Sequence, residues 1–277
     1  MMDMHLHTKW SDGSLTVAEL VQKLKENQIS HAVLTDHDCI LGNEQFQLEC
    51  NRYNISTTVG TELEAYYDVN NSNYLHMLCY NFKDKDKLNS FLEEERSQRI
   101  YAINKAISIL KKQHYNVNFE DVQNISEGRH LLINHLCILL EQKKIVKSRY
   151  DAYHLFLDKT SKWYVPYPKP TVEEIIKIIY DVGGIPVLAH PKRIHMALPE
   201  KEAYIKHLKE IGLVGIEAYY GFDNDDERSF STYIGEKYNL IQTVGSDWHC
   251  EEDNIGFGNQ YISDEKEKTL RKVFFNE

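Results

Sequence analysis

The segment MDMHLHTKWSDG, residues 2–13, combines an apolar alternation with two histidines and ends in an SDG turn. Side chains at positions i and i+2 of a β-strand point to the same face of the sheet. The pattern therefore predicts a strand on which His5 and His7 share one face, while Met4 and Leu6 pack on the other. A histidine-rich polar arm is the alternative, and the rest of the chain decides between it and a metal site.

The composition limits the classes of partner. With 277 residues, of which 42% are hydrophobic, the chain can form one large domain or two ordinary ones. The net charge of −10 weighs against broad binding to duplex DNA. A phosphate substrate remains compatible with this charge, because bound divalent cations can reverse the local potential. A membrane helix needs about twenty unbroken apolar residues, and no run in the sequence is that long.

The five cysteines are scattered along the chain without CxxC spacing. This arrangement argues against a disulfide framework and for a reducing compartment, so we expect a cytoplasmic protein. We expect no signal peptide, because charged and polar residues such as His5, His7 and Lys9 come too early. The sequence predicts no particular oligomeric state.

Short apolar runs alternate with helical segments, which predicts an α/β fold with a parallel sheet. Capping boxes at Thr16 with Glu19 and at Thr171 with Glu174 open two helices, and Gly183 or Gly184 ends the second. The chain has no Rossmann glycine fingerprint, so a (β/α) barrel is favoured over an open sheet. In such barrels the chemistry lies at the carboxyl ends of the strands. The predicted strands are residues 2–7, 31–36, 56–60, 74–80, 184–190, 214–219 and 240–245.

Residues 84–164 interrupt the alternation, because they contain several helical patterns and no convincing strand. We interpret them as a helical insertion, a lid or small second domain covering the mouth of the barrel. The barrel domain would then comprise residues 1–83 and 165–277. Longer barrel helices are the alternative.

Histidines and acidic residues recur where the predicted strands end. Each has an ordinary explanation by itself, such as a polar turn or a buried core histidine, but six of the seven strands show the pattern. Imidazoles and carboxylates without cysteine suit Zn, Mn or Fe. Several such ions close together are used to hydrolyse phosphate esters. The residues concerned are His5, His7, Asp36, His37, Asp38, Glu62, His76, His190, Asp247 and His249.

The motifs H-x-H-T-x-x-S-D-G, T-D-H-D, A-H-P and G-S-D-x-H, with the Glu62 and His76 strands between them, resemble the PHP (polymerase and histidinol phosphatase) family. They cover residues 3–80 and 168–249. The resemblance implies a distorted (β/α)7 barrel with a metal cluster, usually trinuclear, at its carboxyl face.

By position, the resemblance also implies three groups of metal ligands, and every position carries a competent side chain. The first group is His5, His7, Glu62 and Asp247. The second is Asp12, His37 and His249. The third is His76 and His190, with Glu62 bridging from the first. We therefore expect two to three divalent ions, of Mn, Zn or Fe.

The insertion resembles that of small bacterial PHP phosphoesterases that act on nucleotide phosphates and on the 5′ ends of short RNAs. In those proteins an R-P-H element, a lysine before Y-V-P and an arginine after A-H-P accompany the insertion. Arg193 matches the last of these. The R-P-H element is altered, so Arg129 with His130, or His135, takes its place, and the lysine is Lys159 or Lys162. The expected substrate-binding residues are Arg193, Arg129, His135 and Lys162.

The expected function is hydrolysis of a small phosphate monoester, such as a nucleoside 5′-phosphate or a 3′,5′-bisphosphate, by a metal-activated hydroxide. Asp247, His37 and Arg193 are the expected catalytic residues. A 5′→3′ exoribonuclease acting on short RNA and a histidinol phosphatase are alternatives with the same chemistry. A non-catalytic metal-binding module is the alternative from another class.

Overall fold

A computed structural model of the chain describes residues 1–68, 73–126, 131–157, 160–166, 168–258 and 262–277. The chain divides into two compact units. The first comprises Met1–Tyr67, Tyr74–Leu88 and Pro170–Glu277, and the second comprises Asp68–Asn73 and Asn89–Lys169.

Strands and helices alternate through most of the first unit, whereas the second is built from helices. The strands are β1 (Met2–Leu6), β2 (His31–Leu34), β3 (Ser56–Thr58), β4 (Gly60–Asp68), β5 (Asn73–Tyr80), β6 (Ile185–Leu188), β7 (Gly215–Tyr220) and β8 (Ile241–Gly245). The helices are α1 (Val17–Glu26), α2 (Asn43–Arg52), α3 (Lys85–Lys112), α4 (Phe119–Ser126), α5 (Ile133–Gln142), α6 (Arg149–Leu157), α7 (Val172–Asp181), α8 (Leu198–Glu210), α9 (Asp225–Lys237) and α10 (Asp264–Leu270).

The predicted α/β class is confirmed, and the strands of the first unit form two sheets. The first sheet has the order β1-β2-β3 with parallel pairing. The second has the order β4-β5-β6-β7-β8, in which β5 is antiparallel to β6 and the last three strands are parallel. Single bridges join the sheets at Leu6 with Trp248 and at His37 with Glu62. The described strands form no closed barrel, so the predicted distorted (β/α)7 barrel is not confirmed.

Two details of the strand prediction were wrong. Glu62 was expected to follow a strand, but it lies inside β4, whose sequence GTELEAYYD was not recognised as a strand of its own. The sheet was expected to be parallel, but β5, which contains His76 as predicted, runs antiparallel to β6, so its first half meets the carboxyl end of β6. The amide of Ala189 donates to the carbonyl oxygen of His76 at 3.1 Å, which fixes this register.

Both predicted capping boxes are confirmed. Thr16 caps α1 and Thr171 caps α7, each accepting a hydrogen bond from the backbone N–H of the glutamate three residues later. After α7, Gly183 adopts a φ of +72°, which is the left-handed conformation that glycine favours after a helix. The apolar faces of these helices are buried, as Leu20 and Leu24 of α1 show.

The second unit has an apolar core of its own. Buried side chains from α3, α4, α5 and α6 pack together with Trp163. The indole N–H of Trp163 donates to Gln113 Oε1 at 3.1 Å, which satisfies the polar atom of this buried ring. The helix α4 was not predicted from the sequence. None of the described helices in either unit combines the length and apolarity of a membrane span.

We expect Thr171→Ala to lower the free energy of unfolding by about 1 kcal/mol, because it leaves an amide at the start of α7 without its acceptor. Thr171→Ser is the matched control, since it keeps the hydroxyl and should retain nearly all of the stability. Urea denaturation measures both variants, and equal losses in the two would show that the cap is not the cause.

Candidate metal centre

The carboxylate of Glu62 is the centre of a buried cluster of imidazoles. Its two oxygens lie within 3.2 Å of ring nitrogens from five histidines, while Glu62 itself is fully buried. The distances to Oε2 are 3.0 Å from His5 Nε2, 3.2 Å from His7 Nε2 and 3.2 Å from His37 Nδ1. The distances to Oε1 are 2.8 Å from His76 Nδ1 and 2.8 Å from His190 Nε2.

The end of β8 adds a second buried carboxylate next to β1. Asp247 Oδ1 lies 3.3 Å from His5 Nε2 and 3.1 Å from His7 Nε2. Two backbone hydrogen bonds hold these segments together, from the amide of Asp247 to the carbonyl of His5 and from the amide of His7 to the carbonyl of Trp248. The two histidine–aspartate motifs at opposite ends of the sequence are therefore neighbours in space.

Asp12 and His249 complete the cluster on its more exposed side. Asp12 Oδ1 lies 3.3 Å from His249 Nε2 and 3.9 Å from both His7 Nδ1 and His37 Nε2. The loop that carries Asp12 is held by Asp36, which accepts hydrogen bonds from the amide and hydroxyl of Thr8 and from the hydroxyl of Ser11. Asp36 therefore shapes the TKWSDG loop.

The structure brings all nine predicted ligands into this one cluster. Eight of them fall into three overlapping groups whose ligand atoms lie within 4.8 Å of one another. The ninth, His190, contacts Glu62 directly. The groups are His5, His7, Glu62 and Asp247; His7, Asp12, His37 and His249; and His37, Glu62 and His76.

The donor atoms fit divalent cations. His7 Nε2, Asp12 Oδ1 and Asp247 Oδ1 are buried and make no hydrogen bond of good geometry with the described residues. Buried polar atoms are almost always hydrogen-bonded, so three such atoms in one cluster indicate another kind of partner. Imidazole nitrogens and carboxylate oxygens ligate Zn, Mn and Fe.

The electrostatics keep the carboxylates ionised. Burial opposes the ionisation of Glu62, but the imidazoles of His5 and His76, whose own pKa values are raised, outweigh it and hold the Glu62 pKa well below its usual range. The same holds for Asp247, where burial is outweighed by His5 and by the guanidinium of Arg193, so the pKa is again well below normal.

The histidines differ in charge according to their surroundings. Burial lowers the pKa of His37 and of His190 to about 3 each, so both rings are neutral at physiological pH and offer a lone pair. At His249 burial also disfavours the charged ring, but Asp12 and Asp247 outweigh it and raise the pKa to about 10. A cation bound here would have to displace that proton, because only neutral imidazole is a ligand.

Two of the ligand-type residues have strained backbones. His190 has a φ of +25° and Asp247 a φ of +57°, a region that residues other than glycine seldom adopt. Such strain persists where the surrounding structure requires it and is concentrated at functional sites. Both residues follow the end of a strand, so the strained backbone turns their side chains into the cluster.

The sequence did not reveal Glu217. This fully buried glutamate lies in the middle of β7, the strand for which no ligand was predicted. Its Oε1 lies 2.9 Å from His5 Nδ1, and its Oε2 accepts a hydrogen bond from the backbone amide of His190 at 2.8 Å. The signal in the sequence was a single acidic residue within the apolar run VGIEAY.

The predicted substrate-binding residues lie in different surroundings. In the first unit, Arg193 donates to Asp247 Oδ2 at 3.0 Å and has a side chain that is 48% exposed. In the second unit, His135 is buried and its Nδ1 accepts from the amide of Leu132 at the start of α5. Lys162 Nζ lies 5.9 Å from the centre of the Trp163 ring. The predicted Arg129, His130 and Lys159 lie outside the described residues.

Several curated proteins are similar to this chain over most of their length. The 5′-3′ exoribonuclease Rnm of Escherichia coli is 24% identical over 89% of this chain and 84% of its own. The 3′,5′-nucleoside bisphosphate phosphatase of Chromobacterium violaceum is 24% identical over 90% of this chain and 87% of its own.

The fold is shared with a solved structure from Bifidobacterium adolescentis, described as a candidate metal-dependent phosphoesterase. It superposes with a TM-score of 0.80 at 24% identity, covering 98% of this chain and 95% of that one. The PHP domain family matches residues 3–169, more than half of the chain and the part that supplies six of the nine clustered residues. The chain belongs to the PHP domain family.

Proposed function

We propose that the protein is a metal-dependent phosphoesterase that releases phosphate from a nucleotide monoester, either a nucleoside 5′-phosphate or a 3′,5′-bisphosphate. The observation that carries this proposal is the overlap of three ligand-type groups around Glu62, with two to three divalent ions of Mn, Zn or Fe as the proposed cofactors. Closely spaced ions of this kind lower the pKa of bound water and stabilise the charge of a phosphoryl group in an in-line displacement.

The proposed roles of the side chains are metal ligation and phosphate binding. The proposed ligands are His5, His7, Glu62 and Asp247 for one ion, Asp12, His37 and His249 for a second, and His76 and His190, bridged by Glu62, for a third. The guanidinium of Arg193 is held at the edge of the cluster by Asp247 and is half exposed. A planar guanidinium binds phosphoryl oxygens in a bidentate manner, so Arg193 is the proposed substrate-binding group.

The relatives support a nucleotide substrate. One of them is named for a nucleoside bisphosphate and the other for exonuclease action on RNA. A 5′→3′ exoribonuclease acting on short RNA is therefore the second candidate, with the same ligands acting on a diester. The acidic net charge agrees with a small substrate in preference to duplex DNA.

We also propose that the two sheets are parts of one distorted (β/α)7 barrel. The hydrogen bonds between the β1 and β8 ends and the bridge from His37 to Glu62 support this description. Residues 84–164 are proposed as an insertion that contributes Arg129, His135 and Lys162 to substrate binding. The cytoplasmic location and the role of this insertion as a lid stay predictions.

Asp247→Ala should reduce phosphate release in the presence of Mn²⁺ by more than about 100-fold, since loss of a ligand costs more than loss of a group behind it. His37→Ala should have the same effect. Asp225→Ala is the matched control, because this aspartate is fully exposed on α9 and should leave turnover unchanged. Near wild-type turnover of either ligand variant, with its circular dichroism spectrum intact, would contradict the metal mechanism.

Removal of divalent ions with a chelator should abolish activity and lower stability together. Adding Mn²⁺ at about 100 times its Kd should then raise the free energy of unfolding by about 2.7 kcal/mol. Thermal unfolding measures this change, and Asp247→Ala should show a much smaller one. An identical rise in the wild type and the variant would place the bound ion elsewhere on the protein.

The substrate class can be determined with four compounds and Mn²⁺: a nucleoside 5′-monophosphate, a nucleoside 3′,5′-bisphosphate, histidinol phosphate and a 5′-phosphorylated short RNA. We expect the highest kcat/KM for one of the two nucleotides. Stepwise release of 5′-mononucleotides from the RNA at a higher kcat/KM would favour the exoribonuclease. Turnover of none of the four would support a non-catalytic module.

A further inference from the structure

The strand β7 carries none of the nine proposed ligands, yet two of its polar side chains are fully buried against them. These are Glu217 and Tyr220, both with 0% exposed surface. Burial of an ionisable or polar group is unfavourable unless the group is hydrogen-bonded. The contacts of the two residues therefore indicate what they do.

Glu217 fixes the ring of His5. Its Oε1 lies 2.9 Å from His5 Nδ1, so the opposite nitrogen, His5 Nε2, faces Glu62 and Asp247. Its Oε2 accepts a hydrogen bond from the backbone amide of His190. His190 is another residue of the cluster, and its φ is positive. One carboxylate thus holds two proposed ligands from behind, the usual arrangement for a metal-bound histidine.

Tyr220 fixes the carboxylate of Asp247 in a similar way. Its hydroxyl donates to Asp247 Oδ2 at 2.9 Å, and Arg193 donates to the same oxygen. The other oxygen, Oδ1, is thereby directed towards His5 and His7. Rotation of this carboxylate would remove one ligand atom from the first group.

An irregularity in β7 places both residues on the same face. Glu217 is paired with Thr243 of β8 and Tyr219 with Val244, so three residues of β7 stand opposite two of β8 and Ala218 is the additional one. In a regular strand Glu217 and Tyr219 would share a face. The bulge instead pairs Tyr220 with Gly245 and gives Glu217 and Tyr220 a common face, as bulges near active sites do.

The neighbouring strand leaves room for this arrangement. Gly245 of β8 has no side chain, and a Cβ there would lie 2.5 Å from Glu217 Oε1 and would also clash with His5. Tyr219 points away from the cluster, and its hydroxyl accepts a hydrogen bond from Lys266 at 2.8 Å.

We propose that Glu217 and Tyr220 are positioning residues of the metal centre, brought to one face of β7 by the bulge at Ala218, and that they set its metal affinity by fixing His5 Nε2 and Asp247 Oδ1. This inference rests on the proposed metal-dependent function. In this proposal, side chains of β7 orient two ligands that lie elsewhere, His5 on β1 and Asp247 after β8.

The test compares Tyr220→Phe with Tyr219→Phe in the full-length protein, after chelation and titration with Co²⁺. Both changes remove one hydroxyl and keep the ring, so Tyr219→Phe is the matched control. Tyr220→Phe should weaken Co²⁺ binding by about 10-fold and alter the visible spectrum of the bound ion. Tyr219→Phe should leave the affinity and the spectrum unchanged.

Glu217→Gln provides a second measurement, because an amide has only one oxygen to replace the two that Glu217 uses. It should weaken Co²⁺ binding by about 10- to 100-fold. With substrate and Mn²⁺, the loss in both variants should fall on kcat more than on KM.

The outcomes separate this inference from the proposed function. If the wild type binds Co²⁺ and both Tyr220→Phe and Glu217→Gln match its affinity and spectrum, the assignment of β7 is wrong and the metal site stands. If the wild type binds no Co²⁺, the proposed function and this inference both fail.

Discussion

The arrangement of the site depends on the buried carboxylate of Glu62. A carboxylate without water is stable only when it is paired and hydrogen-bonded, and this one meets ring nitrogens of five histidines within 3.2 Å. Those histidines come from four separate parts of the chain, so the segments that carry them must converge on β4. The electrostatic requirement of one side chain thereby constrains the positions of β1, β5 and the ends of β2 and β6.

A few backbone contacts within and between the two sheets bring the histidine-bearing segments to Glu62. The carboxyl ends of parallel strands lie at one edge of a sheet, which brings the residues after β6 and β8 together. The antiparallel strand β5 reaches the same edge with its first half, which explains why His76 lies within a strand while His190 lies after one. Hydrogen bonds between the β1 and β8 ends then close the cluster on its other side.

Charge and strain act on the same few residues. Neutral imidazoles at His37 and His190, with ionised carboxylates at Glu62 and Asp247, form a donor set suited to divalent ions. His190 and Asp247, which both have a positive φ, are hydrogen-bonded to two residues of β7: the backbone amide of His190 donates to Glu217, and the carboxylate of Asp247 accepts from Tyr220. The residues with strained backbones are therefore the ones whose ligand-type groups β7 contacts.

The sequence by itself determined the α/β class and the capped helices α1 and α7, because periodicity and caps are local signals, while the resemblance of its motifs to the PHP family implied the nine ligand-type residues. Only the tertiary structure decided that Glu62 lies inside a strand, that β5 runs antiparallel, and that Glu217 and Tyr220 are hydrogen-bonded to residues of the cluster. These features depend on pairing between strands that are distant in the chain. A bulge of one residue in β7 changes which side chains face the site. The bulge is defined by the pairing of β7 with β8, and the local sequence VGIEAY does not indicate that pairing.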